Sequence, residues 1–175
     1  GSIGLSTLDV ISRHPERFSL YAVTANSNVE GLFNICQTYQ PTYAVMVNEQ
    51  SAEQLEQKLQ QVGSQTQVLS GDKSLLDVSG SDNVTTVMAA IVGGAGLLPT
   101  LKAAETGKRI LLANKEALVM SGDLLLNAVR KSGAVLLPVD SEHNAIFQAM
   151  PSSVQNGAEL KSAGIEKILL TGSGG

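Results

Sequence analysis

The sequence predicts an α/β fold, a doubly wound and mostly parallel sheet with helices on both faces. Two observations carry this prediction. Short β-branched or apolar runs alternate along the chain with longer segments whose apolar residues keep helical spacing. Glycines such as Gly63, Gly107 and Gly133 stand at the ends of these segments, where helices often stop with a left-handed residue. Regular alternation of strands and helices favours parallel strands joined by helical crossovers.

In chain order, the apolar runs predict strands over residues 18–24, 43–47, 67–69, 85–91, 110–112, 135–139 and 168–170. The intervening segments predict helices over residues 3–12, 29–39, 52–62, 97–106, 115–132 and 144–150. In the third helix, Leu55, Leu59 and Val62 keep helical spacing and should face the core. Pro15 and Pro41 follow helices, where proline commonly stands.

The composition limits the classes of function. The 175 residues are 43% hydrophobic and 16% charged, which is typical of a compact domain. The net charge of −4, with no cluster of Lys and Arg, argues against a nucleic-acid or anionic-membrane partner. No apolar run approaches the ~20 residues of a membrane span, and no signal peptide is visible. The single cysteine, Cys36, is expected to be a buried thiol in a reducing, cytoplasmic compartment.

The most informative motif is LLPVDSEHNAIF, residues 136–147, where a predicted strand meets a predicted helix. In an extended backbone, Asp140 and Glu142 would point to the same side and could hold a hard divalent cation. The alternative is structural, with Ser141 as an N-cap, Glu142 favoured by the helix dipole and Asp140 in a turn. His143 is a possible acid–base group, although a capping or core histidine is the commoner role.

Two further loops could bind a dinucleotide. The first residues, Gly-Ser-Ile-Gly, are typical of a turn in which the backbone approaches a pyrophosphate at a helix N-terminus, although Gly-Ser is also a common cloning remnant. Roughly 20 residues later, Asn26, Ser27 and Asn28 follow a strand, where such folds contact the ribose. The lack of an acidic residue there favours NADP over NAD. These residues could equally form a turn and cap the next helix.

Two later loops leave alternatives open as well. The run 89–96 enters a glycine-rich turn, which either close helix packing or a nearby cofactor would require. Asn114, Lys115 and Glu116 follow a buried strand. Lys115 could bind an anionic or carbonyl oxygen or pair with Glu116, and Asn114 could be an N-cap.

Five strings that span the chain resemble one enzyme family, the 1-deoxy-D-xylulose 5-phosphate reductoisomerases of the non-mevalonate isoprenoid pathway. The strings are GSIGLSTLDVI, AAIVGGAGLLPTL, ILLANKEALV, LLPVDSEHNAIFQ and LLTGSGG. The resemblance implies a Rossmann-like enzyme that uses NADPH and Mg²⁺, Mn²⁺ or Co²⁺. Such an enzyme isomerises and reduces its pentulose phosphate to 2-C-methyl-D-erythritol 4-phosphate. It also implies a bacterial, cytoplasmic homodimer whose partner is a small sugar phosphate.

The resemblance also implies a role for each matching residue. NADPH contacts would be Gly1, Ser2 and Ile3 at the pyrophosphate, Asn26, Ser27 and Asn28 at the 2′-phosphate, and Asn114 and Glu116. Asp140 and Glu142 would bind the metal, and Lys115 and Glu142 would serve catalysis. Substrate contacts would be Lys115, Ser141, Glu142 and Ser173.

The sequence departs from the family pattern at the residues expected to bind the 2′-phosphate and at both of its ends. Many relatives carry a basic residue where this chain has Ser27, so the group that neutralises the 2′-phosphate stays open. The third metal carboxylate, a mobile flap and further phosphate ligands are expected after Gly175. We therefore expect residues 1–150 to form an NADPH-binding domain without its first strand, and residues 151–175 to begin the next domain. Alone, the segment should be nearly inactive. The rival hypotheses are another NADP-dependent oxidoreductase of a phosphorylated hydroxy compound and a non-catalytic nucleotide-binding module.

Overall fold

A computed structural model describes residues 1–171, which contain six strands and eight α-helices. The strands are β1 Ala22–Ala25, β2 Tyr43–Met46, β3 Gln67–Ser70, β4 Thr86–Ala89, β5 Arg109–Leu112 and β6 Val135–Pro138. The helices are α1 Ser2–Arg13, α2 Val29–Tyr39, α3 Glu49–Gln61, α4 Gly71–Gly80, α5 Leu97–Glu105, α6 Glu116–Ser132, α7 Ser141–Ala149 and α8 Ser152–Gln155. Short 3₁₀ turns occupy Gly93–Gly96 and Lys161–Ala163.

All strand pairings are parallel, which confirms the predicted α/β class. The strands form two sheets of three, in the orders β1-β2-β3 and β4-β5-β6. Strands β1 and β4 are therefore edge strands, and within residues 1–171 no strand pairs with both of them.

Helices pack on both faces of the first sheet. Its central strand, β2, directs buried side chains to each face in turn. Ala44 and Met46 of β2 join a buried cluster with residues of α1, α2 and α3. Val45, between them in sequence, points to the other face and packs on Leu75 and Val78 of α4. This arrangement fits the doubly wound pattern expected from the sequence.

The core of the second sheet lies beneath α5 and α6. Ile110 and Leu112 of β5 pack with Ala103 and Ala104 of α5 and with Leu125 of α6. The register aligns the last residues of the three strands, Ala89, Leu112 and Pro138, in one row. The loops that follow β4, β5 and β6 therefore leave from the same edge of this sheet.

The two sheets are joined at the amino ends of their strands. The Tyr21 hydroxyl, just before β1, accepts a hydrogen bond of 3.2 Å from the Ser81 hydroxyl. The ammonium of buried Lys108 donates to the Ser81 carbonyl at 2.7 Å. The Tyr21 ring also packs edge-on against Tyr43, with 5.3 Å between the centroids. These contacts tie the loop before β4 to both sheets.

Three sequence predictions need correction. Residues 168–170 are not a strand, since no neighbouring strand within the described residues pairs with them, and Leu169 is 82% exposed. Helix α4 was not predicted; its segment is rich in Ser, Gly and Asp, and Leu75 and Val78 are its buried apolar residues. Val62 follows the end of α3 and is exposed rather than in the core.

The described helices also bear on membrane insertion. Within residues 1–171, none has both the length and the apolar character that a membrane-spanning helix requires.

Candidate functional site

The candidate site is built on the carboxyl edge of the second sheet. The 3₁₀ turn Gly93–Gly96 follows β4, Asn114 and Lys115 follow β5, and Asp140 follows β6. Backbone hydrogen bonds extend the parallel ladder into these loops. The Asn114 amide donates to the Ala89 carbonyl at 3.0 Å, and the Val139 amide donates to the Leu112 carbonyl at 2.9 Å. The first residues of these loops are therefore held at the edge of the sheet by backbone hydrogen bonds.

The local backbone at the acidic pair differs from the extended chain assumed in the sequence analysis. Asp140 is extended, with φ −62° and ψ 146°, but α7 begins at Ser141, so Glu142 lies in its first turn. Strand alternation therefore does not place the two carboxylates. They lie at the N-cap position of α7 and in its first turn, where negative charge is favoured by the helix dipole.

Asp140 is the more enclosed of the two acidic residues, with 19% of its side chain exposed. Its Oδ2 lies 2.6 Å from Nδ1 of His143. Asn144 donates through Nδ2 to the Pro138 carbonyl at 2.8 Å, which fastens α7 to the end of β6. His143 therefore orients the Asp140 carboxylate, and Asn144 fixes the helix that carries Glu142. Sequence reasoning missed Asn144, since nothing in its local pattern marks it.

Glu142 is exposed, and its surroundings favour the charged form. Its own backbone amide lowers the pKa of its carboxyl most, and a 2.9 Å hydrogen bond from the Ser141 hydroxyl lowers it further. The Lys115 ammonium acts in the same direction, while the Asp140 carboxylate opposes both. The loops that carry Lys115 and the acidic pair follow the adjacent strands β5 and β6 at one edge of the second sheet, in agreement with these electrostatic effects.

The donor chemistry of this neighbourhood fits a hard divalent cation, because ionised carboxylate oxygens are the ligands that Mg²⁺ and Mn²⁺ prefer. Within residues 1–171, no group of three or more His, Cys, Asp or Glu side chains is arranged to hold a metal. The pair Asp140 and Glu142 can therefore supply only part of a coordination sphere.

Lys115 is exposed and precedes α6 directly. None of the ion pairs between described residues involves it, so the alternative in which Lys115 pairs with Glu116 is not realised. Glu116 is half-buried and opens the first turn of α6. An exposed ammonium at this edge of the sheet can attract an anionic or carbonyl oxygen.

Asn114 is 3% exposed, and its side chain is engaged inside the chain. Its Nδ2 donates to the carbonyls of Ile91 and Gly93, and its Oδ1 accepts from the Ala117 amide at 3.1 Å. Both amide hydrogens are therefore used within the protein. Lys115, not Asn114, is the N-cap residue of α6, although the Asn114 side chain accepts from an amide of its first turn. A predicted NADPH contact could not use either amide hydrogen of Asn114 while these bonds persist.

The first turn of α1 offers an anion-binding geometry. The helix begins at Ser2 with Gly1 in the N-cap position, and the Leu5 amide donates to the Gly1 carbonyl at 3.1 Å. The amides of the first turn have no partner within the helix, and Gly1, Ser2 and Ile3 are exposed. The helix dipole favours an anion at this end of α1.

Asn26, Ser27 and Asn28 leave the carboxyl end of β1 and are all exposed. Asn28 caps α2, accepting a 2.9 Å hydrogen bond from the Gly31 amide. The side chains of Asn26 and Ser27 extend from the same loop without such a cap. Ser173, the last predicted substrate contact, lies outside the described residues.

A cavity elsewhere in the fold has no side chain that suggests chemistry. It opens at the amino ends of β2 and β3 and is lined by residues including Cys36, Pro41 and Thr66. The Thr66 hydroxyl is already bonded to the Pro41 carbonyl at 2.7 Å. Burial raises the pKa of the Cys36 thiol to about 11, which leaves it protonated and unreactive.

Comparison with known proteins gives a consistent result along the chain. The family model described as 1-deoxy-D-xylulose 5-phosphate reductoisomerase matches residues 1–122. The model of that enzyme's C-terminal domain matches residues 136–175. The 1-deoxy-D-xylulose 5-phosphate reductoisomerase of Nitrosomonas eutropha is 58% identical over all 175 residues, which cover 42% of its length. The chain thus spans less than half the length of the curated relatives it matches.

Solved structures agree in fold. A crystal structure of DOX-P reductoisomerase in complex with magnesium matches with a TM-score of 0.91 and 46% identity, over 95% of this chain and 42% of that one. A crystal structure of the same enzyme with NADPH, fosmidomycin and magnesium matches with a TM-score of 0.86 and 47% identity, over 90% of this chain and 38% of that one.

Proposed function

This chain belongs to the 1-deoxy-D-xylulose 5-phosphate reductoisomerase family, and on that basis we propose that the intact protein is an NADPH- and metal-dependent reductoisomerase. It converts 1-deoxy-D-xylulose 5-phosphate into 2-C-methyl-D-erythritol 4-phosphate, a step of isoprenoid precursor synthesis. The observation that carries the proposal is that Lys115 and the acidic pair Asp140 and Glu142 follow the paired strands β5 and β6 at the carboxyl edge of the second sheet. A module that only bound a nucleotide would not need this charged group.

Asp140 and Glu142 hold the divalent ion in this proposal, together with ligands from outside the described residues. The surroundings that lower the pKa of Glu142 support the assignment, because a carboxyl must be ionised to bind a metal. When bound, the ion polarises the substrate carbonyl and stabilises negative charge on its oxygen. His143 keeps Asp140 oriented through the 2.6 Å contact.

Lys115 and Ser141 orient the substrate. The exposed Lys115 ammonium holds an anionic or carbonyl oxygen. The Ser141 hydroxyl, now bonded to Glu142, can turn toward a substrate oxygen. Ser173 begins the substrate-phosphate site. Each of these contacts restricts the orientation of the substrate before reaction.

NADPH lies across the loops of both sheets in this proposal and supplies the hydride. The free amides at the start of α1 hold its pyrophosphate, and the loop Asn26–Asn28 holds its 2′-phosphate. Asn114 and Glu116 lie at the end of the cofactor site that is farther along the chain, next to Lys115. NADPH and magnesium in a related crystal structure support both cofactors.

The remaining parts of the proposal concern the intact protein. Residues 1–150 form the NADPH-binding domain and residues 151–175 begin the next one, which supplies the missing metal and phosphate ligands. We expect a cytoplasmic homodimer without nucleic-acid or membrane partners. The net charge of −4 without a basic cluster supports the absence of an anionic macromolecular partner.

The test is NADPH oxidation by the full-length protein with 1-deoxy-D-xylulose 5-phosphate and Mg²⁺ or Mn²⁺. We expect turnover with formation of 2-C-methyl-D-erythritol 4-phosphate, and almost none from residues 1–175 alone. Lys115→Met should lower kcat/KM by about a hundredfold or more, because it removes a charge at the reacting oxygen. NADPH binding without any turnover by the full-length protein would favour the nucleotide-binding module instead.

A further inference from the structure

We propose that Asn114 is a positioning residue whose carboxamide fastens the Gly93–Gly96 turn to the first turn of α6, and thereby sets the places of Lys115 and Glu116. This inference rests on the proposed function, because Lys115 and Glu116 are the residues assigned to substrate and NADPH. Asn114 itself acts through them, since both its amide hydrogens are bonded inside the protein.

The hydrogen bonds of Asn114 connect three parts of the site. Its backbone amide donates to the Ala89 carbonyl at 3.0 Å, at the end of β4. Its Nδ2 donates to the Ile91 carbonyl and, at 3.0 Å, to the Gly93 carbonyl. Its Oδ1 accepts from the Ala117 amide. One buried side chain therefore satisfies backbone groups of both loops, and nothing else in the described residues bridges them in this way.

Gly96 supplies independent support. Its backbone has φ −79° and ψ −11°, a conformation open to any residue, so backbone freedom does not explain the glycine. A Cβ at this position would collide with Nδ2 of Asn114 and lie 2.6 Å from the Ile91 carbonyl oxygen. The glycine is thus needed for space, which is taken up by the Asn114 amide and by the Ile91 carbonyl to which that amide donates.

The shape of α6 explains why the fastening matters. Ser121 interrupts the helix with φ −152° and ψ 38°, which separates the first turn from the longer body anchored by Leu125. The first turn is therefore not held in place by helix continuity. Buried Ala117 and the Asn114 bonds hold it instead. Lys115 and Glu116 lie between these two anchors.

The experiment uses the full-length protein and four variants. Asn114→Ala removes the whole side-chain network. Asn114→Asp keeps the size and the acceptor for the Ala117 amide but removes both donors. Gly96→Ala displaces the amide from the other side. Gly94→Ala is the matched control in the same turn, since its Cβ would meet only the Met120 side chain, at an ordinary 3.5 Å.

We expect the first three variants to raise the NADPH dissociation constant and the substrate KM, and to lower kcat/KM by about tenfold or more each, well below their melting temperatures. The loss in the double variant Asn114→Ala/Gly96→Ala should be smaller than the product of the single losses, because both act on one contact.

Two results would overturn the proposal. A lower melting temperature with unchanged kcat/KM in Asn114→Ala would make the network merely structural. Loss in Asn114→Ala but not in Gly96→Ala would indicate a direct cofactor contact by the side chain.

Hydrogen exchange keeps this test separate from that of the proposed function. In Asn114→Ala, peptides covering residues 91–97 and 115–121 should exchange faster together, whereas in Gly94→Ala they should not. That result would support the link that Asn114 makes between the Gly93–Gly96 turn and α6, even if the wild-type protein had no reductoisomerase activity. Unchanged exchange in both peptides would contradict it whatever the activity.

Discussion

At the scale of single residues, the surroundings of Glu142 favour the charged form of its carboxyl. Its backbone amide and the Ser141 hydroxyl stabilise the carboxylate, and two charged neighbours act on it with opposite sign. Because the pKa of Glu142 is lowered on folding, its charge contributes to stability above the ordinary pKa of glutamate. That contribution is lost as the pH falls through the lowered value.

The opposing effects of the two neighbours can be measured. Lys115→Met should raise the pKa of Glu142, because a favourable positive charge is removed, and Asp140→Asn should lower it, because a repulsive charge is removed. Carboxyl ¹³C titration by NMR would report both shifts. Shifts of the same sign in the two variants would show that these side chains do not share a site with Glu142.

The environment of Cys36 disfavours the charged form of its side chain, the thiolate, and so lowers its reactivity. With its pKa raised to about 11, the thiol should resist alkylation by iodoacetamide at pH 8 in the folded protein and react rapidly after unfolding. Stability from the neutral thiol is fully present below the unfolded pKa of about 8.5 and is lost as the pH rises toward the folded value. Rapid alkylation of the native protein would contradict the buried position.

At the scale of elements, the loops after β1 and β2 end in two equivalent helix caps. Asn28 accepts from the Gly31 amide and Asn48 accepts from the Ser51 amide, each at 2.9 Å. Only Asn28 lies in the loop assigned to the 2′-phosphate. Comparing variants of Asn28 and Asn48 therefore distinguishes the loss of stability caused by a missing cap from a loss of NADPH binding.

Asn28→Ala and Asn48→Ala should each reduce the free energy of unfolding by about 1 kcal/mol, as lost N-caps do. Only Asn28→Ala should also weaken NADPH binding, and it should weaken NADH binding less. Urea unfolding and fluorescence titration would measure both quantities in the full-length protein. Equal NADPH affinities in the two variants would remove Asn28 from the cofactor site.

The sequence predicted elements with strong periodicity and missed those set by tertiary contacts. All six observed strands and helix α2 follow from their apolar patterns. Helix α4 does not, because its stability depends on burying Leu75 and Val78 against the first sheet. The run 168–170 is apolar enough for a strand, but a strand also needs a partner, which a local pattern cannot supply.

The same limit applies to the site. The pattern made Asp140 and Glu142 candidate metal ligands, which stays a prediction, and it did not predict that α7 begins between them. It marked Asn114 as a cap or a cofactor contact, yet the link to Ile91 and Gly93 depends on two loops that are more than twenty residues apart in sequence. Such a link appears only once the parallel register has aligned the ends of β4 and β5.

At the scale of the whole molecule, the chain contains two parallel sheets and spans less than half the length of its relatives. Its two sheets expose their carboxyl-end loops to ligands, while the core lies under the helices. The acidic pair at β6 lies where the match to the family's first model has ended and the match to its C-terminal model has begun. Residues 136–171 therefore link cofactor binding to the rest of the enzyme in the proposed function.

The most direct test of the metal assignment is Mn²⁺ binding by the full-length protein, measured by EPR with NADPH present. Asp140→Asn and Glu142→Gln should each weaken Mn²⁺ binding by about tenfold or more while leaving NADPH affinity unchanged, because each removes an ionised oxygen ligand. Asp123→Asn, at an exposed position on α6, is the matched control. Mn²⁺ affinity equal to that of the wild type in both Asp140→Asn and Glu142→Gln would contradict the account.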